Sequence, residues 1–232
     1  MIRKSFINWV IARVGRGSVV IDERISFFYL FRLIIEKILA RFWGAIKMGT
    51  FLPVFISPSC VIKASRNITL NGFLSVSPKC FIDALGVNGI QFGDGVSIGR
   101  ATIIVVSGSL QNLGKGIIIG NNVGFSTSCY IGGAGGLEIG DDTIFGNYVS
   151  VHPENHNYAD STIPIRLQGV NHKGIKIGKG CWIGAKATIL DGTIIGDGCI
   201  VAAGAVVSGK FPNNVIIGGV PAKIIKKRFV DE

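Results

Sequence analysis

All three histidines of this chain lie within residues 152–172. His152 and His156 stand in the stretch "VHPENHNYADSTIPI", and His172 follows it. Imidazole has a reference pKa of about 6.5, so one of these side chains could act as a general base at neutral pH. Three neutral imidazoles could instead bind zinc and leave one position open for water. A third interpretation, which we favour for His152 and His172 but not for His156, is that the rings bind only the loop backbone.

The sequence on both sides of the histidines repeats an aliphatic or aromatic residue every six positions. A period of six is neither helical nor the alternation of a long strand, and hexapeptide repeats are typical of a parallel β-helix. The sequence therefore predicts an all-β solenoid, in which each unit is a short strand with a corner and three sides close a triangular coil. The repeated positions are Phe92, Ile98, Ile104; Ile119, Phe125, Ile131; Ile139, Phe145, Val151; and Ile177, Ile183, Ile189, Ile195, Val201, Val207.

The cysteines follow the same repeat, because each stands two residues before an aliphatic residue. Their spacing contains neither a C-x-x-C pair nor a zinc motif. We expect buried small residues at the coil corners rather than redox or metal-binding groups. The five positions are Cys60, Cys80, Cys129, Cys181 and Cys199.

The repeat disappears between Val151 and Ile177 and then resumes in phase. Residues 152–174 are therefore predicted to be an excursion from one coil. Loops on a rigid scaffold often carry binding and catalytic residues. We expect the histidines to reach outward from the solenoid to a substrate.

The segment before the repeats has the pattern of an amphipathic helix over residues 22–47, with Asp22 as a candidate N-cap. The helix could pack on the first coil and cover its open sheet edges, or form an oligomer contact. Its aromatic residues could instead lie in a membrane interface. We favour packing or oligomer contact. The predicted division is an N-terminal helical segment at 1–50 and a β-helix domain at 51–232.

The net charge of +10 is concentrated at the N-terminus, where residues 1–50 carry nine Lys/Arg against three Asp/Glu. This excess could attract nucleic acid, anionic lipid or a phosphorylated small molecule. No nucleic-acid-binding module is recognisable, so we expect no nucleic acid partner. The Gly-Lys pairs are not followed by Ser or Thr, which excludes a P-loop.

The N-terminus has no run of about 18 apolar residues of the kind that crosses a membrane. Met1 to Val14 resembles a signal peptide, but Arg13 and Arg16 interrupt the pattern and no cleavage site follows. We expect a cytoplasmic protein, with peripheral contact at the inner face of the membrane as the alternative.

Three stretches of the chain resemble the hexapeptide-repeat acyltransferases. They are "NHNYADSTIPI" at 155–165, "KIGKGCWIGAKATILDGTIIGDGCIVAAGAVV" at 176–207 and "IIGGVPAKIIKKR" at 216–228. The sequence is most similar to galactoside, maltose, streptogramin and bacterial polysaccharide O-acetyltransferases, over roughly residues 90–229. The resemblance implies a left-handed parallel β-helix, which would carry the N-terminal helical segment and a short basic C-terminal tail. It also implies a homotrimer with active sites between neighbouring subunits.

The resemblance assigns the general base to the loop histidine five residues beyond the last aliphatic of its coil, which is His156. This histidine would remove the proton from an acceptor hydroxyl as the oxygen attacks the thioester of acetyl-CoA. Ser128 stands where sugar acetyltransferases have an asparagine near the acceptor, and Trp182 matches a tryptophan that walls the channel. Asn155, beside the base, completes the expected acceptor-binding residues.

The resemblance also implies a coenzyme A site. The backbone at two small residues would line the arm of the coenzyme, and basic residues near the C-terminus would receive its phosphates. The family pattern "TKDIP" becomes "SGKFP" at 208–212, which moves its lysine by one place. The expected residues are Ala185 and Ala203 for the arm, and Lys210, Lys226, Lys227 and Arg228 for the phosphates.

We therefore expect an acetyl-CoA-dependent O-acetyltransferase that acts on a sugar hydroxyl in polysaccharide or glycolipid biosynthesis, with no bound metal. N-acetylation of a nucleotide amino sugar and O-acetylation of an antibiotic are close alternatives. A zinc enzyme of the γ-carbonic anhydrase type is an alternative from a different class, since that fold uses three histidines. A non-catalytic scaffold is a third class.

Overall fold

The structure is a computed structural model that describes residue 22 and residues 24–229. The stretch that resembles a signal peptide lies outside the described residues. Helix α1 spans Phe27–Met48 and precedes the solenoid, and Gly49 ends it in the left-handed conformation. Of the helices that the structure describes, none is long and apolar enough to cross a bilayer.

The N-cap of α1 is Ser26, whose side chain accepts a hydrogen bond from the backbone N–H of Tyr29 at 3.2 Å. The sequence-based prediction of Asp22 as the cap is therefore wrong. The Asp22 carboxylate instead accepts hydrogen bonds from the backbone N–H and the guanidinium of Arg24. A serine hydroxyl at this position satisfies one of the free N–H groups of the first helical turn.

Three parallel sheets form the sides of a triangular β-helix, and the chain visits them in the order A, B, C. Sheet A contains β1 (Val54–Ile56), β4 (Leu74–Val76), β7 (Val96–Ile98), β10 (Gly124–Phe125), β13 (Ile144–Phe145), β18 (Trp182–Ile183), β21 (Ile200–Val201), β24 (Val215–Gly219) and β25 (Ala222–Lys227). Sheet B contains β2 (Val61–Lys63), β5 (Phe81–Asp83), β8 (Ile103–Val105), β11 (Tyr130–Gly132), β14 (Ser150–His152), β19 (Thr188–Leu190) and β22 (Val206–Val207). Sheet C contains β3 (Ile68–Leu70), β6 (Ile90–Phe92), β9 (Ile117–Ile119), β12 (Leu137–Ile139), β17 (Ile175–Ile177), β20 (Ile194–Ile195) and β23 (Lys210–Phe211). A separate antiparallel pair consists of β15 (Asn155–His156) and β16 (Val170–Asn171).

The predicted six-residue repeat is confirmed by the strand register. Phe125 pairs with Ile98 on one side and with Phe145 on the other, and the two phenylalanine rings stack 4.7 Å apart. In sheet B, Val151 pairs with Ile131 and with Ile189. Every residue of the predicted column is buried, so the column forms the core of the solenoid.

The five cysteines are free thiols and all are buried, which confirms their predicted packing role. Each Sγ lies within hydrogen-bond distance of a backbone carbonyl of the next coil, as Cys181 does for Gly196 at 3.2 Å. Burial raises the pKa of the Cys181 thiol to about 11. Small side chains fit here because the strands crowd together at the corners.

Polar side chains connect successive coils at the corner between sheets C and A. The side chain of Asp141 accepts a hydrogen bond from the backbone N–H of Asn121 one coil earlier, at 2.8 Å. In the same way, Asp197 accepts from the N–H of Lys179 at 2.7 Å, and Asn213 accepts from the N–H of Asp197 at 2.9 Å. The donated N–H lowers the pKa of the Asp141 carboxyl. These bonds satisfy backbone donors where the ladder is interrupted by the turn.

Helix α1 packs on the first coil, which comprises β1, β2 and β3. Its buried side consists of Leu30, Ala40 and Gly44. A β-carbon on Gly44 would lie 2.3 Å from the carbonyl oxygen of Val54, so only glycine permits this approach. The Lys47 ammonium donates a hydrogen bond to the carbonyl of Cys60 at 3.3 Å. The helix therefore closes the open end of the solenoid.

Candidate active site

The chain leaves the solenoid after β14 and returns to it at β17, at the corner between sheets B and C. Within this excursion, β15 and β16 pair antiparallel, with His156 opposite Val170 and Asn155 opposite Asn171. We call residues 153–174 the histidine hairpin. His156 therefore lies on a short hydrogen-bonded strand, not on an irregular loop.

Hydrogen bonds from Gln168 organise the far end of the histidine hairpin. Its side-chain amide donates to the carbonyls of Asp160 and Ile163 at 2.6 and 2.9 Å, and its amide oxygen accepts from the N–H of Asp160 at 3.1 Å. Asn157 adds a hydrogen bond from its side-chain amide to the carbonyl of Gln168 at 3.0 Å. Because its side chain forms three hydrogen bonds, Gln168 holds the tip of the hairpin, residues 160–168, in one arrangement.

The carboxylate of Asp191 attaches the hairpin to the next coil. It accepts hydrogen bonds from the backbone N–H of Lys173 at 2.9 Å and of Gly174 at 2.8 Å, and the Asn155 side chain lies 3.4 Å from it. It thus contacts both arms of the hairpin. Our sequence reasoning missed Asp191. The hexad register would have found it, since His152 pairs with Leu190 and Asp191 therefore follows where the chain leaves the coil.

The His156 side chain is exposed and faces away from this anchor. Side chains of successive strand residues point to opposite faces, and the Asn155 and Asn157 amides both bind within the protein. Among the residues that the structure describes, none forms a hydrogen bond with the His156 ring. The imidazole is therefore exposed and makes no hydrogen bond to the described part of the chain.

The other two histidines have different surroundings. The His152 ring stacks on Tyr130, with centroids 5.1 Å apart, and burial lowers the pKa of this imidazole. His172 is exposed, and its β-carbon packs closely on Gly135, where an added β-carbon would lie 2.6 Å from it. In the described part of the chain, no three potential ligands converge on a metal site.

Three predicted residues lie at the corner between sheets A and B. Ser128 adopts a left-handed conformation (φ 59°) between β10 and β11. Ala185 lies between β18 and β19, and Ala203 between β21 and β22. Ser128 precedes sheet B, and the hairpin with His156 follows it. Ser128 precedes β11, whereas the hairpin follows β14 one coil later, so the two lie at opposite edges of sheet B on neighbouring coils.

Trp182 lies on the outer face of sheet A and is 52% exposed. The corner that carries the histidine hairpin joins sheets B and C, so it is opposite sheet A in the triangular cross-section. One chain therefore does not bring Trp182 to His156.

The basic stretch near the C-terminus forms the end of strand β25. Lys226 and Lys227 pair antiparallel with β24, opposite Ile216 and Val215. The Arg228 guanidinium donates a hydrogen bond to the carbonyl of Gly198 at 3.0 Å. These residues lie at the last coil, on the edge of sheet A.

Lys210 lies apart from the other predicted coenzyme A residues. It begins β23 in sheet C and lines a groove of about 430 Å³ together with Lys115 and Lys173. Lys176 and Glu138 also line this groove and form an ion pair at 2.9 Å. The groove lies on the face opposite the corner of Ala185 and Ala203, so within one chain Lys210 is separated from those residues.

The sequence is similar to known transferases over the region that contains this geometry. Residues 174–209 match the family described as bacterial transferase hexapeptide (six repeats). Over 146 residues the chain is 34% identical to a protein of Escherichia coli K12 that is provisionally named a lipopolysaccharide biosynthesis O-acetyl transferase, with 60% of this chain and 71% of that protein covered. The chain belongs to the hexapeptide-repeat acyltransferase family.

A second relative of this acyltransferase is a protein of Mycobacterium tuberculosis provisionally named an acetyltransferase, 35% identical over 140 residues. The match covers 60% of this chain and 44% of that protein, so this chain spans less than half the length of that relative. Among solved structures, an N-acyltransferase variant of Bacillus cereus in complex with dTDP and coenzyme A superposes with a TM-score of 0.52 at 23% identity. The superposition covers 73% of this chain and 84% of the Bacillus cereus chain. The predicted left-handed parallel β-helix is confirmed as the fold, and the predicted enzyme class, an acyltransferase, is confirmed as well.

Proposed function

We propose that this acyltransferase moves an acetyl group from acetyl-CoA to a sugar hydroxyl in polysaccharide or glycolipid biosynthesis, with His156 as the general base. The observation that carries the proposal is the exposed imidazole on a strand whose neighbour, Asn155, is attached to the scaffold through Asp191. The provisional name of the Escherichia coli relative, a lipopolysaccharide O-acetyl transferase, supports the choice of a sugar hydroxyl.

In the proposed reaction the imidazole of His156 removes the proton of the acceptor hydroxyl while its oxygen attacks the thioester carbonyl. The tetrahedral intermediate carries an oxyanion, which needs hydrogen-bond donors. Its collapse forms the new ester and breaks the carbon–sulfur bond. The leaving thiolate takes the proton back from the imidazolium, so the base is regenerated and the products are the acetylated sugar and free coenzyme A.

We assign Ser128 and Trp182 to the acceptor, and Ala185 and Ala203 to the arm of coenzyme A. The amide of Asn155 is directed to Asp191, so we assign Asn155 to positioning of His156 in addition to acceptor binding. For the phosphates we keep the predicted set of Lys210, Lys226, Lys227 and Arg228.

We further propose that the enzyme is a homotrimer with sites between subunits. Trp182 lies on sheet A, opposite the corner of its own histidine hairpin. A site that contains His156 and Trp182 therefore requires two copies of the chain. Lys210, on the groove of sheet C, would likewise reach a coenzyme bound at the Ala185 corner only if it comes from a second copy.

The test is release of free thiol from acetyl-CoA with a panel of sugars, nucleotide sugars and amino sugars. His156→Ala should lower kcat by about 10²- to 10⁴-fold, the usual contribution of a general base. His172→Ala is the matched control, because it removes an exposed imidazole from the same hairpin and should leave turnover within about twofold. Undiminished turnover of His156→Ala would refute the assigned base, and acetylation of amines alone would refute the hydroxyl acceptor.

A further inference from the structure

Helix α1 has an exposed apolar side that the solenoid does not cover. The side that packs on the first coil contains Leu30, Ala40 and Gly44. The opposite side is formed by large apolar residues, of which Phe28 is 81% and Phe42 64% exposed. We call this side the apolar stripe. Its members are Phe27, Phe28, Phe31, Ile35, Ile38, Leu39, Phe42 and Ile46.

The apolar stripe is long and free of charge. From Phe28 to Ile46 it runs about 27 Å along the helix, at 1.5 Å per residue. Because α1 covers the end of the solenoid with its other side, the stripe faces away from the coils. An exposed apolar surface of this extent indicates a contact with another molecule or a membrane.

Charged residues border the stripe on both sides. At 100° per residue, Arg32 follows one border and Arg41 the other, whereas Lys37 falls on the packed side, where its ammonium donates a hydrogen bond to the Ser75 hydroxyl at 3.2 Å. Arg32 forms an ion pair with Glu36 at 2.9 Å, whereas the Arg41 guanidinium donates a hydrogen bond to the carbonyl of Phe51 and keeps its positive charge. The helix itself carries four basic residues and one acidic residue. The surroundings of the stripe are therefore suited to an anionic surface.

We propose that the apolar stripe docks on an anionic lipid bilayer, with α1 lying in the plane of the interface. Aromatic and aliphatic side chains would enter the boundary between head groups and acyl chains, and Arg32 and Arg41 would remain at the head groups. Each Lys or Arg near an anionic leaflet adds to the attraction. A protein partner or a second copy would be expected to bury the stripe without a requirement for the net positive charge of the helix. The proposal does not depend on the acceptor or on the role of His156.

Sedimentation of the full chain with lipid vesicles tests the proposal. One set of vesicles is phosphatidylcholine alone, and the other contains roughly one third phosphatidylglycerol, which supplies the negative surface potential. We expect binding to the anionic vesicles that weakens as salt is raised. The double variant Phe28→Ser/Phe42→Ser should weaken this binding at least about tenfold, since two large apolar groups no longer enter the bilayer.

The matched control is Leu110→Ser, because Leu110 is also highly exposed but lies between β8 and β9, away from the helix. This control should bind vesicles like the parent chain. Thiol release with a soluble acceptor should be equal in all three proteins, which separates membrane docking from catalysis.

Three outcomes would overturn the proposal. Equal vesicle binding by the parent and the double variant would place the contact elsewhere. No vesicle binding, together with a change of molar mass in the double variant, would identify a second copy as the occupant of the stripe. No vesicle binding with unchanged molar mass would show that the stripe does not dock on a bilayer.

Discussion

The anchor between the histidine hairpin and the next coil can be removed by a single substitution, Asp191→Ala. The carboxylate accepts charge-assisted hydrogen bonds from the backbone N–H groups of Lys173 and Gly174, at 2.9 and 2.8 Å. Such bonds contribute roughly 1.5–3 kcal/mol each when buried, and less where solvent screens them. Because Asp191 is only half-buried, we expect a total loss of about 1–3 kcal/mol.

This loss should affect the hairpin rather than the whole fold, because the carboxylate joins an excursion to a solenoid that is complete without it. A loss of about 1–3 kcal/mol raises the open fraction of the hairpin by roughly 5- to 150-fold, since 1.4 kcal/mol is a factor of ten. Hydrogen exchange followed by mass spectrometry measures this directly as lost protection of residues 155–173. The melting temperature should change little.

Turnover provides a second readout. If His156 is the base, a less ordered hairpin should lower kcat, with a smaller effect on KM for acetyl-CoA, whose expected contacts lie elsewhere. Asp191→Asn should fall between the parent and Asp191→Ala, because it retains an acceptor oxygen but not the charge.

Asp197→Ala is the matched control. Asp197 accepts the same type of hydrogen bond, from the N–H of Lys179 at 2.7 Å, but at the corner between sheets C and A. It should leave exchange at residues 155–173 unchanged. Equal hairpin protection in Asp191→Ala and the parent, or the same loss in Asp197→Ala, would contradict the anchoring role.

Three further predictions concern the scaffold. Gly184→Ala should destabilise the protein by several kcal/mol in thermal melts, because its β-carbon would lie 2.6 Å from the backbone nitrogen of Ala203; Gly204→Ala, at φ 72° in open space, should cost only about 1 kcal/mol. The buried thiols, including that of Cys181, whose pKa is raised to about 11, should resist a thiol reagent at neutral pH until the chain is unfolded; rapid labelling of the native protein would contradict the packing. Burial lowers the pKa of His152 in the folded protein, so as pH falls the unfolded chain takes up a proton on this ring before the folded chain does. The free energy of unfolding should therefore decrease as pH drops through about 6.5. His152→Gln should reduce this pH dependence in denaturant melts at pH 5 to 7.5.

The six-residue pattern was sufficient to predict the solenoid from Phe92 onward, the column of core residues and the place where the chain leaves it. It works because each inward residue pairs with its counterpart in the next coil, so the period along the chain repeats the stacking in space. The same pattern does not identify the coils that precede Phe92. The corner between β5 and β6 spans residues 84–89, and this longer turn interrupts the phase.

The choice of which side of α1 packs could not be read from the sequence. Apolar residues such as Leu30 and Phe42 occur on both sides of this helix, so its periodicity does not identify the packed one. The decision comes from Gly44, whose missing β-carbon permits contact with the Val54 backbone. The side that remains outside is the apolar stripe.

The sequence by itself determined the coil, its core and the histidine that leaves it, because these depend on local spacing. Only the tertiary structure decided which residues share a face. Ser128 and the hairpin of His156 border sheet B, whereas Trp182 lies on sheet A. Asp191 reaches the hairpin from the following coil. Such relations depend on how the three sheets close into a triangle. Only this closure decides whether residues far apart along the chain lie on the same side of the solenoid or on opposite sides.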